Sequence, residues 1–270
     1  MPFLYVHKTM EDHLMDVLLH IPELLESIMT PHLQTLDKGN LLGKIHCHQL
    51  ELNHWRNEWL KLNPNSATSI PICHSSQSLS PFLAFYLSSG LKTNTTQQAK
   101  ELICYHSAML LFGQLKSLLD GHSPKEDIIT SISIHEALNP SDLLPKEVSS
   151  LLLPDKIKLP WQHGLEGLRI LAGFGRELFS DHEFYLVFAP LGILYCFSEY
   201  LGIQQMMISM ISREDWAGDA EHELGPYRLY GFDVSSMGLR VNEPCNPAEE
   251  EYSGDRPFAT KRLFINSSWP

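Results

Sequence analysis

The sequence predicts an all-α protein, a helical bundle or layered helical array of about eight to ten helices with an irregular C-terminal tail. Three observations carry this expectation. Apolar residues recur at steps of three and four along most of the first 212 residues, helix start and stop residues punctuate them, and no alternating β pattern of convincing length intervenes. The periodicity fades from Arg213 onward, where Gly, Pro and acidic residues rise. The expected organisation is therefore a helical domain over 1–212 and an irregular acidic tail over 213–270. Glu249, Glu250 and Glu251 read as a solvated charge run within that tail.

Composition narrows the classes. Hydrophobic residues are 43% and charged residues 19% of the 270, a balance that supports a sizeable buried core and not a disordered chain. The net charge of -12 sets an acidic surface against phosphate backbones, so autonomous nucleic-acid binding is not expected. The five cysteines (Cys47, Cys73, Cys104, Cys196, Cys245) are odd in number and widely spaced. This argues for a reducing compartment over a disulfide framework. The opening Met1-Pro2-Phe3-Leu4 lacks the features of a secretory signal. The apolar run Phe184–Phe197 contains Pro190 and Gly192 and is shorter than a bilayer span, so it reads as buried core and no membrane partner is expected.

Individual helices follow from local chemistry. Thr9 is an N-cap for a helix with Glu11 and Asp12 in its first turn and Leu14, Met15, Leu18 and Leu19 as its apolar positions. Pro22 removes a donor and restarts the helix, which continues through Leu24, Leu25, Ile28 and Met29 to a stop at Pro31. Asn40 reads as the cap of a helix over about 41–62, with Ile45, His48, Leu52, Trp55, Trp59 and Leu62 as one stripe. Residues 63–79, rich in Ser, Asn and Pro, read as a loop. Ser80-Pro81 starts a short apolar helix reaching about Leu91. Thr95 or Thr96 opens a long helix to about Leu119, with Gly121 as its stop.

Ser123-Pro124-Lys125-Glu126 has capping-box spacing ahead of Ile128, Ile129 and Ile132. Prolines 140, 145, 154 and 160 predict short turns and connections over 139–160. A helix over 161–178 follows. Ser180 and Glu183 repeat the capping-box spacing before an apolar helical hairpin over about 183–211, with Pro190 as a restart and Gly202 as its turn.

No stretch spells a catalytic, cofactor or metal motif, so the expected sets of catalytic, cofactor-binding and metal-binding residues are empty. His46-Cys47-His48 is suggestive of metal chemistry. Adjacent helical residues point apart, however, and Cys73-His74 joins them only through tertiary accident. Gly173-Phe174-Gly175 lacks the third glycine of a dinucleotide fingerprint and follows a helix, which points to close helix packing or a helix break. His106-Ser107 is no nucleophile elbow. His163 and Glu166, three residues apart, offer an acid–base pair of a kind that many helices carry. Trp55, Trp59 and Trp161 read as core aromatics before they read as a ligand pocket.

Several segments in order resemble the regulatory region of fungal-specific zinc-cluster transcription factors. Asp16-Val17-Leu18-Leu19-His20-Ile21-Pro22-Glu23-Leu24-Leu25-Glu26 is similar to that family's Ile-Pro helix. Leu50-Glu51-Leu52-Asn53-His54-Trp55-Arg56-Asn57-Glu58-Trp59 is similar to its next, Trp-bearing helix, Thr96–Leu119 to its later long helix, and Phe188-Ala189-Pro190-Leu191 to the start of a late core helix. The six-cysteine DNA-binding head has no counterpart among these residues. The resemblance implies the helical regulatory module alone: a nuclear or nucleocytoplasmic protein acting through protein contacts, compatible with a small-molecule effector, in control of a fungal secondary-metabolite biosynthetic gene cluster. A truncated regulator without independent activity fits the same residues. The alternative class is a helical small-molecule enzyme or binding protein of secondary metabolism, which a polar set converging in an apolar cavity would favour.

Overall fold

In the computed structural model the described residues are 8–29, 38–72, 80–138, 151–174 and 187–207, all within the unit Met1–Met237. Helices α1 (Met10–Leu18), α2 (Ile21–Met29), α3 (Lys38–Leu62), α4 (Pro81–Tyr86), α5 (Thr96–Leu119), α6 (Pro124–Leu138), α7 (Pro160–Phe174) and α8 (Phe188–Tyr200) make up most of them. The fold is mostly helical, as the periodicity predicts. The acidic tail over 213–270, the boundary before it, the Ser180–Glu183 cap and residues 139–150 lie outside the described residues.

Local rules explain the helix ends. Thr9 Oγ1 accepts from the Asp12 amide (3.1 Å) while the Asp12 carboxylate accepts from the Thr9 amide (2.7 Å), a reciprocal cap for α1. Pro22 occupies the second position of α2 after a turn at Leu19 and His20, so the restart falls where the missing donor costs nothing. Thr95 caps α5, and Gly121 closes it with φ of 81°. Ser80 Oγ accepts from the Leu83 amide (3.3 Å) at the start of α4. Asn40 is not a cap: α3 is already helical from Lys38, which places Asn40 in its first turn.

The largest departure from the expected pattern is a two-stranded antiparallel pair, β1 (Ala67–Pro71) and β2 (Ser89–Thr93), running in register from Ala67 opposite Thr93 to Pro71 opposite Ser89. The expected loop at 63–79 thus holds a strand, and the expected helix to Leu91 ends at Tyr86. Neither strand has length or alternation enough to be read locally. What fixes β2 is its seat on α7. A Cβ on Gly173 would overlap the Leu91 carbonyl, and one on Gly90 would meet the Gly173 amide at 2.9 Å. Close packing, one of the two readings of the Gly-Phe-Gly run, is what its first glycine provides.

Helix α5 is the hub, packed against α7, α3, α8, α1 and α6. Every side chain from Leu102 to Leu115 is buried. By length and composition α5 could cross a membrane, but 78% of its most apolar window is buried inside the fold, as in the core helix of a helical array. Helix α8 lies against it, with Leu191, Leu194 and Phe197 buried. The Phe197 and Leu194 side chains occupy the space that Gly164 and Gly167 of α7 leave open. Pro190 sits within the first turn of α8, and Gly202 closes its C-terminal turn with φ of 69°. Leu19 and Leu62, assigned to apolar faces by spacing, are 74% and 66% exposed, whereas Val17 is buried. Leu19 already belongs to the turn after α1 and Leu62 is the last residue of α3, so the packing faces end before them.

Candidate functional site

The interior contains a polar centre where α3, α5 and α7 meet. Helix α7 supplies Glu166 and Arg169, three residues apart on one face and both essentially inaccessible to solvent. Arg169 Nη1 donates to Glu166 Oε1 at 2.6 Å, and its Nε and Nη2 donate to the Ser89 carbonyl and hydroxyl at 3.3 Å each. Tyr86 Oη donates to Glu166 Oε1 (3.2 Å), and the Leu152 amide donates to Oε2 (3.4 Å). The pair therefore ties α7 to α4, β2 and the 151–159 segment.

Beside it, His106 of α5 and His163 of α7 share a hydrogen bond between their Nδ1 atoms (3.1 Å). One ring must donate and the other accept, so at most one can carry a proton charge. Burial drives His163 down to about 3 and His106 well below the usual imidazole range, with Arg56 adding to both effects. His163 and Glu166 do not bond each other: Glu166 bonds Arg169 and Tyr86, and His163 bonds His106. The His106 Nε2 is buried and makes no hydrogen bond.

Arg56 completes the centre and escapes the sequence reading, which takes α3 through Leu52, Trp55 and Trp59 as an apolar stripe. It is fully buried, and its Nε, Nη1 and Nη2 make no hydrogen bond. Its guanidinium lies 4.8 Å from the Trp59 ring centroid and 6.0 Å from that of Tyr105. Burial lowers it to about 10, so it remains charged at neutral pH. Cation–π contacts contribute about 2 kcal/mol when desolvated, against a burial cost of several kcal/mol per ion, so the rings offset only part of it. The one available signal is spacing: Arg56 stands four residues after Leu52 and three before Trp59, on their face.

The tryptophans are core residues with satisfied indole groups. Trp55 Nε1 donates to the Met10 carbonyl (2.7 Å), Trp59 Nε1 to Glu101 Oε2 (2.6 Å) and Trp161 Nε1 to Ser131 Oγ (3.1 Å). Two of them also border clefts. Trp161, His135 and Gln114 line one of 660 Å³ between α5, α6 and α7, and the buried Gln114 Nε2 has no hydrogen-bond partner there. Trp55 lies in a groove of 890 Å³ between α1 and α3 that Leu50, Leu62, His13, His54 and Glu58 border.

The metal-like run is dispersed, as adjacent helical residues must be. His46 and Cys47 are exposed, while His48 turns inward, bonds Glu51 (2.9 Å) and stacks between His20 and Phe112 at centroid distances of 5.0 and 6.1 Å. Cys73 and His74 lie outside the described residues. Among the described residues no three His, Cys, Asp or Glu side chains gather as a metal site. Comparisons with protein families, with curated proteins and with solved structures give no match.

The histidine pair has a measurable consequence. Both imidazoles bind a proton near pH 6.5 when unfolded and remain neutral to far lower pH when folded, so the unfolded state binds more protons below pH 6.5. Stability is therefore present above that pH and lost on acidification, by about 1.4 kcal/mol per pH unit for each histidine. Glu101, whose carboxyl burial raises, opposes this, but only in the carboxylate range. Urea unfolding of the chain between pH 7.5 and pH 5 is expected to show this slope, reduced by half in His163→Gln. A flat profile would place the pair in contact with solvent.

Proposed function

We propose that this chain is a regulatory protein that acts through protein contacts, similar to the regulatory region of fungal zinc-cluster transcription factors. The observation that carries the reading is the α1–α3 groove. Leu50 and Leu62, 54% and 66% exposed, stand on its rim beside Trp55. Large exposed aliphatic side chains around an apolar groove suit a partner's helix. In the interior, meanwhile, the two histidines bond each other and the carboxylate bonds Arg169. Under this reading the chain acts in the nucleus. Control of a secondary-metabolite gene cluster follows from the family resemblance alone.

Transcript profiling after gene deletion, set beside metabolite profiling, tests it. The expected result is a coherent change in a gene set, restored by the parent gene and not by Leu50→Asp/Leu62→Asp, a surface variant expected to fold normally. Full restoration by that variant would remove the groove from the function. The isolated chain is also expected not to shift duplex DNA at physiological salt with better than roughly micromolar affinity. A sequence-specific nanomolar complex would refute the protein-contact reading.

A second reading, a helical small-molecule enzyme or binding protein, is favoured by one observation. The unpartnered Gln114 amide stands in the wall of the α5–α6–α7 cleft beside Trp161, whose volume suits a small ligand. A metabolite change without any transcript change would favour it.

A further inference from the structure

We propose that Arg56 holds a small monovalent anion inside the fold, between α3 and α5. The inference rests on charge and on unmet hydrogen bonding and is independent of the regulatory reading.

Two buried guanidiniums, Arg56 and Arg169, face one buried carboxylate. Glu166 Oε1 already accepts from Arg169 at 2.6 Å and from Tyr86, and its Oε2 accepts from the Leu152 amide. The neighbours whose charges act on Arg56 are Glu166 and Tyr105. Burial keeps the Tyr105 phenol protonated at neutral pH, and its hydroxyl donates to Asn53. His106 and His163 are neutral. Among the described residues of the centre, one positive charge is thus in excess, on Arg56.

The geometry of the unmet donors agrees with the charge. Arg56 Nε, Nη1 and Nη2 all lack partners, and together they span the edge of a guanidinium that pairs with a carboxylate in two-pronged fashion. The central carbon of the guanidinium lies over the rings of Trp59 and Tyr105, 4.8 and 6.0 Å from their centroids. Cation–π contact supplies partial negative charge but no hydrogen-bond acceptor in the plane. A monovalent anion neutralises the excess; a divalent one would reverse it. The class is therefore a halide or a small carboxylate.

The test is the thermal melting of the full chain at fixed ionic strength, with sodium gluconate as the reference salt and sodium chloride or sodium formate replacing it stepwise. A ligand that binds only the folded state raises the midpoint saturably, by roughly 5 °C or more at a hundredfold excess over its dissociation constant. The expected result is a saturable rise with formate, with chloride or with both, which distinguishes a carboxylate site from a halide site. Arg56→Lys, which keeps the charge and loses the fork, is expected to shift the half-saturating concentration at least tenfold upward. Arg56→Met is expected to abolish the saturable component. If Arg56→Met does not fold, the Arg56→Lys shift decides alone. A midpoint that is the same in all three salts overturns the proposal and assigns the counter-charge to a carboxylate of this chain. An unchanged saturable rise in Arg56→Lys overturns it as well, by placing the anion elsewhere.

Discussion

Glu166→Gln is expected to lower the unfolding free energy of the chain by about 3–5 kcal/mol, the typical result of removing one partner of a buried ion pair. The amide keeps nearly the volume of the carboxyl, but its single oxygen can accept from Tyr86 or from Leu152 and not from both, so the loss reflects charge and one acceptor and not a cavity. Arg169 would lose the carboxylate that accepts from its Nη1, and Arg56 would lose the attraction that now acts on it. With a total stability of roughly 5–15 kcal/mol for a protein of this kind, such a change is close to unfolding it. The double variant Glu166→Gln/Arg169→Met removes both members of the pair and is expected to recover most of the loss. Urea unfolding of the three proteins measures this. A Glu166→Gln stability within about 1 kcal/mol of the parent would mean that water reaches the pair and that it behaves as a surface salt bridge.

Leu194→Ala is expected to cost about 2–5 kcal/mol, from lost transfer energy and the cavity left behind. Leu194 is fully buried on α8, its methyl groups seated where Gly167 of α7 has no side chain. The cavity would open in the α7–α8 contact, beside the hub helix α5. The backbone of α7 has little freedom to collapse into it, because Gly173 further along the helix lies directly on Leu91 of β2. The upper half of the range is therefore expected. Thermal melts decide: a variant that melts like its parent but loses a partner or ligand would make the α8 face an interface instead of core.

The helices were legible in the sequence because their signals are local. Thr9, Ser80, Thr95 and Gly121 act within one turn of where they stand, and the spacing of Leu52, Trp55 and Trp59 marks the face of α3 that packs. That His46 and Cys47 face outward while His48 turns inward follows equally from helical geometry. Tertiary packing alone decided the rest. The strands β1 and β2 are five residues each, too short for alternation to announce them, and β2 exists where it does because Gly90 and Gly173 let two backbones touch across some eighty residues of chain. The centrality of α5 was hidden by Lys100, His106, Ser107 and Gln114, polar residues that break an apolar run yet are all buried. His163 and Glu166 stand three residues apart on one helix, yet the approach of α5 gives His163 its partner His106, and that of α4 brings Tyr86 to Glu166. Arg56 is the extreme case. Periodicity could put it on the packed face of α3, but whether a buried charge there meets an opposite one depends on what the other helices bring to it, and that is a property of the three-dimensional arrangement alone.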